Sequence, residues 1–392
     1  MADGTLIRPI GVVLDGRLEL GLELVLFESR VMELRPHTGV PELFVVSPAF
    51  VNAHSHLEYR NVRLDPGERD FFRWLEALLP HKRSLEEAAA AEAADQAALE
   101  NAAGGVAFVA EHSDLPVSVP ALLKAGLGGI VFQETITFRE WTNPQERLRQ
   151  VRDRARSQQG CQERIRVCPS PHAPYTVDPD TLRAFGATDG PLSIHVAESV
   201  YERMWLTAGE GPFAEMHARA GNPQPRARSS VEYLHDLGLC RPGVQWVHCC
   251  DVDEQDLELM ALGGVSVAHC PRSNWTLGCP TAPIRRMLRA GLRVGLGTDS
   301  AASAGPPHLF AEMRRALQSS EDMGEPIAPE DVWRMATRLG AESLGIDGWE
   351  LNLGNRVPLI ALHLPEARTT EDLIRDGSPE VVEWLVKPSE IA

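Results

Sequence analysis

The chain has 392 residues, 43% of them apolar, a length that allows one large core and a smaller accessory unit. Its formal net charge of −17, with no basic stripe, excludes nucleic acid as an expected partner. No run of eighteen uncharged apolar residues occurs, and Met1 to Leu20 lacks the basic head and apolar middle of a secretory leader, so no membrane contact and a cytosolic location are expected.

From the N-terminus, Leu18, Leu20, Leu22 and Leu24 alternate with polar residues, the pattern of half-buried antiparallel strands. Eight short apolar runs then alternate with helical patterns: Phe44 to Asn52, Gly105 to Glu111, Gly128 to Glu134, Arg164 to Ser170, Leu192 to Val196, Val244 to Cys249, Val265 to Cys270 and Leu292 to Gly297. Eight strand-then-helix units with nearly all-apolar strands predict a (β/α)₈ TIM barrel, an α/β fold. The insertion Leu57 to Arg83 carries Phe71, Phe72 and Trp74 on an amphipathic pattern and follows the first strand, where a barrel keeps its active-site loops; it reads equally as a lid or as a packing helix. Ser84 to Ala103 is an alanine-rich outer helix, with Ser84 and Glu87 spaced as a capping box. A further short strand is expected near Val357 to Leu364. Each terminus alone is too small to bury a face, so residues 1–47 and 352–392 are expected to form one composite β-sandwich around a barrel of residues 48–351. Seven cysteines without a CxxC pair, two of them adjacent at Cys249 and Cys250, read as buried free thiols rather than as disulfides or a thiolate zinc site.

The chemistry concentrates at one end of the predicted barrel. His54 and His56 end the first strand two residues apart, so both imidazoles point the same way and form half of a divalent-metal site. His195 ends the fifth strand, His248 the sixth and Asp299 the eighth. Taken singly, each histidine reads best as a satisfied structural residue. Five metal-type or acid/base side chains at the same end of four strands read jointly as a metal site.

These strings resemble the amidohydrolase superfamily, and within it the aminohydrolase branch of cytosine, guanine and S-adenosylhomocysteine deaminases and triazine hydrolases. The resemblance runs from about Pro48 to Gly345 and rests on Pro48-Ala-Phe-Val-Asn-Ala-His-Ser-His56, Pro171-His-Ala-Pro-Tyr-Thr176, His195-Val-Ala-Glu198, Ala268-His-Cys-Pro-Arg-Ser-Asn274 and Gly295-Leu-Gly-Thr-Asp299. It implies metal ligands at His54, His56, His195 and Asp299 and catalytic roles for Glu198 and His248, with Asp299 serving both purposes. Binuclear relatives bridge two cations with a lysine or glutamate on the fourth strand. The only lysines here are Lys82, Lys124 and Lys387, and Arg164 to Ser170 holds no acid, so one cation is expected: zinc suits the ligands, with iron and manganese as alternatives.

A cation so held lowers the pKa of bound water from about 15.7 toward about 7. Asp299 is then placed to accept a proton, His248 to orient the attacking oxygen, and Glu198 to shuttle a proton to a ring nitrogen and a departing amine. Chlorotriazine hydrolases of this branch need no such acid, so Glu198 favours deamination of a small heterocyclic amine. His172 resembles the substrate-binding histidine after the fourth strand, while His269 and Asn274 match the seventh-strand string and are expected to support the ligands. Glu58, in His56-Leu57-Glu58, is a candidate acceptor for ribose hydroxyls or a ring N–H. That string and the aromatic insertion resemble the 6-aminodeoxyfutalosine deaminases of menaquinone biosynthesis, whose substrate is an adenine nucleoside with a benzoate arm. Arg60, Arg63 or Arg73, with Arg73 favoured, is then expected to hold the carboxylate. The alternatives are a cyclic-amide or chlorotriazine hydrolase on the same fold, or a metal-binding scaffold without activity; the oligomer allowed for is a homodimer. Relatives commonly close the barrel with Gly-x-x-Ala-Asp-Leu, whereas this chain reads Gly354-Asn-Arg-Val-Pro-Leu359, so the terminal β-unit is open to a different closure.

Overall fold

The computed structural model describes residues 4–64, 69–159 and 164–391. Six strands come first: β1 (Thr5–Ile7), β2 (Pro9–Leu14), β3 (Arg17–Leu20), β4 (Leu22–Phe27), β5 (Arg30–Pro36) and β6 (Glu42–Pro48). The alternating leucines that suggested extended chain are split between β3 and β4 by a turn at Gly21, whose φ of 76° suits a residue without Cβ. Eight parallel strands follow: β7 (Phe50–His56), β8 (Val106–Ser113), β9 (Gly128–Thr135), β10 (Ile165–Pro171), β11 (Leu192–Val196), β12 (Val244–His248), β13 (Ser266–His269) and β14 (Arg293–Leu296). A two-residue strand, β15 (Asp299–Ser300), pairs parallel with β7; β16 (Leu359–Leu362) and β17 (Val382–Val386) complete the set.

The fold is mixed α/β of the TIM-barrel type, with helices between successive parallel strands. These strands lie in two hydrogen-bonded sheets, ordered β10-β9-β8-β7-β15 and β11-β12-β13-β14. Across one seam Thr298 N donates to His54 O (2.9 Å), and across the other His195 N donates to His172 O (2.9 Å). The ends of the chain share a five-stranded sheet, β17-β16-β6-β2-β3, beside a three-stranded sheet, β1-β4-β5. Val12, Val46, Leu351, Val357 and Leu359 bury a common core there, separate from the main one. The departure at Gly354 to Leu359 leaves this pairing in place, since β16 lies between β6 and β17 and Pro358 O accepts from Ala49 N (2.8 Å).

Two expectations need correction. The run Phe44 to Asn52 is two strands in different sheets, because Pro48 cannot donate to a ladder and Ala49 spends its groups on Pro358 O and on Trp349 Nε1 (2.7 Å). The Ser84–Glu87 capping box does not form. Ser84 is the last residue of α1 (Phe71–Ser84), its hydroxyl donating to His81 O, and α2 (Glu87–Ala103) starts from Glu86 with no side-chain cap.

Phe50 starts β7 fully buried, edge-on to Phe310 (5.2 Å) and Trp333 (5.4 Å), and so couples the strand that carries His54 and His56 to the outer helices. Phe50→Ala is expected to cost about 3–5 kcal/mol, read as a lower denaturant midpoint at unchanged m-value. A cost below about 1 kcal/mol would show that the neighbouring helices close the gap.

Candidate active site

The chemistry-bearing side chains leave the carboxyl ends of the parallel strands and meet at the base of a cavity of about 600 Å³. His54 and His56 point inward together from β7, and both are buried. Neither nitrogen of His54 has a hydrogen-bond partner, nor does His56 Nδ1. His56 Nε2 lies 3.3 Å from His195 Nε2 and 3.7 Å from Asp299 Oδ1, while His54 Nε2 lies 3.5 Å from the same oxygen. His195 Nδ1–H donates to His172 O (2.9 Å), which leaves its Nε2 a lone pair facing His56. Burial, reinforced by neighbouring imidazoles, holds His54 and His56 well below the usual histidine range, so they stay neutral.

These donors fit a single cation. Bonds of 2.0–2.1 Å in a tetrahedron put neighbouring ligand atoms roughly 3.3–3.4 Å apart, close to the separations found. Orphaned buried imidazoles are otherwise costly.

Backbone strain marks the same places. His248 (φ 74°), Cys249 (φ 49°), Ala197 (φ 51°) and Asp299 (φ 54°) adopt the left-handed region, where a side chain costs roughly 1–2 kcal/mol. The turn holding Ala197 is pinned by the Glu202 carboxylate, which accepts from Ala197 N (3.0 Å) and Glu198 N (2.8 Å), and by Cys250 N donating to Ala197 O (2.9 Å). Glu202 was not singled out from sequence. Asp299 Oδ2 accepts from Ser303 Oγ (3.0 Å) and from Ser273 Oγ, which turns Oδ1 toward the histidines. Burial alone would raise the Asp299 pKa; the facing His248 and His56 imidazoles and the Ser273 hydroxyl outweigh it and lower the value.

His248 Nδ1–H donates to Asn274 Oδ1 (2.8 Å), which leaves Nε2 an acceptor 3.4 Å from Glu198 Oε1. Burial, with Asp299 and Glu202 nearby, pushes the Glu198 carboxyl well above its usual range, so it holds a proton. His269 is buried at the end of β13 and is not among the residues that line the cavity.

The 45–380 segment matches the amidohydrolase family model. The chain belongs to the amidohydrolase family. Among curated amidohydrolase relatives, the 5-methylthioadenosine/S-adenosylhomocysteine deaminase of Pelotomaculum thermopropionicum is 30% identical, over 94% of this chain and 86% of its own length. Among solved structures, an adenosine deaminase from Xanthomonas campestris with bound zinc matches with a TM-score of 0.81 at 21% identity, covering 99% of this chain and 94% of that one. The aminofutalosine deaminase of Helicobacter pylori, in complex with methylthio-coformycin, matches with a TM-score of 0.79 at 21% identity over 99% of both chains.

One wall of this amidohydrolase's cavity is α1. Phe71, Trp74, Leu75, Leu78 and Leu79 face the space, and Trp74 Nε1 ties the helix to Ala302 O (3.0 Å). The insertion read as lid or packing helix therefore lines the cavity, although its residues 65–68 fall outside the described residues. Tyr175 also lines the cavity, stacked on Phe213 at 4.1 Å. His172 also lines the cavity, its Nδ1–H donating to Thr176 Oγ1 (2.8 Å).

Glu58, Arg60, Arg63 and Arg73, named from sequence, stand outside the cavity lining. Glu58 lies behind the wall, its carboxylate accepting from Asp114 N (3.2 Å) and Ser113 Oγ. Arg73 sits exposed on the first turn of α1, its N–H capped by Asp70, and Arg60 is engaged by Glu100; neither lines the cavity. The outer cavity is lined instead by Arg83, Arg139, Arg147 and Arg154. Also missed were Lys82, 2.5 Å from Asp114 Oδ2 and 3.8 Å from Glu134 Oε2, and Glu134 itself. Glu134 ends the third predicted strand, so the rule that picked out the histidines would have found it. Burial pushes both Glu58 and Glu134 up to about 7.

Proposed function

We propose that this amidohydrolase is a mononuclear metal-dependent deaminase of an adenine-type nucleoside, taking up water at the amine-bearing ring carbon and releasing ammonia. The observation that carries the reading is Glu198 beside His248 and Asp299, a protonated carboxyl next to two acceptors at the mouth of the histidine cluster. Binding a cation alone needs neither Glu198 nor His248, and expelling chloride needs no acid. Hydrolysis of a C–N bond agrees with the family, and adenine nucleosides are what the named relatives act on.

His54, His56, His195 and Asp299 are the residues to hold the cation, and zinc suits three imidazoles with one carboxylate. Held there, it supplies Lewis acidity and water activated at neutral pH. His248 Nε2 and Asp299 offer acceptors for the proton that water loses. Glu198 delivers its own proton to a ring nitrogen, which lets the ring carbon accept electron density. The proton taken from water by His248 or Asp299 then goes by way of Glu198 to the leaving amine, and the hydroxyl left on the ring carbon returns a proton to Glu198 as ammonia departs. Apolar α1 residues and Tyr175 exclude bulk water around the base. The reading treats the two parallel sheets as one closed barrel spanning residues 48–351, supported by the Thr298–His54 and His195–His172 bonds, with residues 1–47 and 352–392 as the composite β-unit.

The outer arginines favour a nucleoside with an anionic arm, of the kind 6-aminodeoxyfutalosine carries in menaquinone biosynthesis. Arg147 donates to Glu140 (3.1 Å), but the half-buried Arg154 guanidinium makes no hydrogen bond or ion pair among the described residues. Arg154→Ala is expected to raise KM for a carboxylate-bearing adenine nucleoside roughly 10- to 100-fold while leaving that of adenosine nearly unchanged. Equal effects on both would remove the anionic arm. The activity itself is tested by following ammonia from adenosine, 5'-methylthioadenosine, S-adenosylhomocysteine, aminodeoxyfutalosine, guanine and cytosine. Turnover of an adenine nucleoside is expected, and silence across the panel would return a cyclic-amide hydrolase to first place.

A further inference from the structure

Glu134 is 3% exposed, lines the cavity, and makes no hydrogen bond among the described residues. Three imidazoles surround its Oε1: His112 Nδ1 at 3.5 Å, His172 Nε2 at 3.9 Å and His195 Nδ1 at 3.9 Å. None has a hydrogen to give it. Ser343 Oγ donates to Gly340 O, Gln245 Nε2 to Ser343 Oγ, Ser193 Oγ to Gln245 Oε1, and so His112 must donate through Nε2 to Ser193 Oγ (2.9 Å). Its Nδ1 is left a lone pair. Thr176 Oγ1 spends its proton on Ala173 O, so His172 donates through Nδ1 and its Nε2 is also a lone pair. His195 Nδ1–H belongs to His172 O. A buried carboxylate oxygen facing only acceptors is costly unless a ligand brings a donor.

A cation shared by Glu134 and His195 Nδ1 is excluded, because that nitrogen carries the hydrogen given to His172 O. Lys82 Nζ, 3.8 Å from the other Glu134 oxygen and reaching in from α1, adds a donor at the same place. An acceptor without a donor, beside an ammonium, matches a hydroxyl pair, which gives hydrogens and takes them. The site lies on the Nδ1 side of His195, one imidazole width from the nitrogens that converge on Asp299.

Resting on the nucleoside reading above, we propose that Glu134 is the specificity-determining acceptor for the ribose hydroxyls of the substrate, with Lys82 donating to a hydroxyl oxygen. A site built around a hydroxyl rejects the analogue lacking it strongly, because its own polar group is left unpaired.

The test compares adenosine with 2',3'-dideoxyadenosine in turnover, and inosine with 2',3'-dideoxyinosine in calorimetric binding, for the wild type, Glu134→Gln and Lys82→Met, with metal content and melting temperature measured alongside. The wild type is expected to favour the diol by roughly 100-fold or more in kcat/KM and to bind inosine the more tightly. Glu134→Gln should shrink that preference to below about tenfold at unchanged metal content, and Lys82→Met should lower it partway. Equal losses on diol and dideoxy substrates, or an undiminished preference in Glu134→Gln, would overturn the proposal, as would failure of the wild type to tell the two inosines apart. Absence of ammonia from every adenine nucleoside, with inosine still preferred in binding, would instead remove the deaminase reading and leave Glu134 as the diol acceptor.

Discussion

Glu198→Gln is expected to keep its cation and lose roughly 10²- to 10⁴-fold in kcat, the range typical of a single acid/base group. Glutamine preserves the size of the side chain and the hydrogen bond from Glu198 N to Glu202, so the turn after β11 should hold. What disappears is the proton kept on a carboxyl 3.4 Å from His248 Nε2 by burial and by Asp299 and Glu202. Ammonia is a poor leaving group without that proton, so the loss should fall on kcat and kcat/KM together rather than on KM. Elemental analysis showing full metal with wild-type turnover would take Glu198 out of the mechanism.

A larger loss is expected for His56→Ala. Its Nε2 stands between His195 Nε2 and Asp299 Oδ1, so removing it opens the side of the cluster nearest the cavity. Metal content should fall to near zero and ammonia release by roughly 10⁴-fold or more, as expected when an activated water worth several kcal/mol is lost. Exhaustive chelation of the wild type should do the same and lower the melting temperature, because the cation binds only the folded chain. Full ammonia release from stripped protein would end the metal-dependent reading.

Much of this was legible in advance. The strand-end histidines and Asp299 could be read because a parallel strand alternates side chains with period two and because such folds gather their chemistry at one end. Strand ends drifted by one or two residues, and Pro48 divided a run that hydropathy alone joined. What escaped were residues whose role depends on a partner far along the chain. Glu202 holds the turn of Ala197, Lys82 crosses from a helix to Asp114 just past the second barrel strand, and the engaged Arg60 gives way to Arg154 at the outer cavity. Glu58 looked available only because it follows His56 so closely; a carboxylate two residues past the strand end is directed back at Ser113. No spacing rule carries that information, since it is set by tertiary packing.

The cavity wall built by α1 has a consequence for how such enzymes diverge. Reactive groups come from the ends of parallel strands, whereas Phe71, Trp74, Leu78 and Lys82, which give the chamber its shape, belong to an excursion inserted after the first of them. Much of the chamber's shape is thus written in a stretch of chain apart from the reacting groups. A lineage can recut the excursion to admit a longer or shorter molecule while every atom that handles water and protons stays where it was.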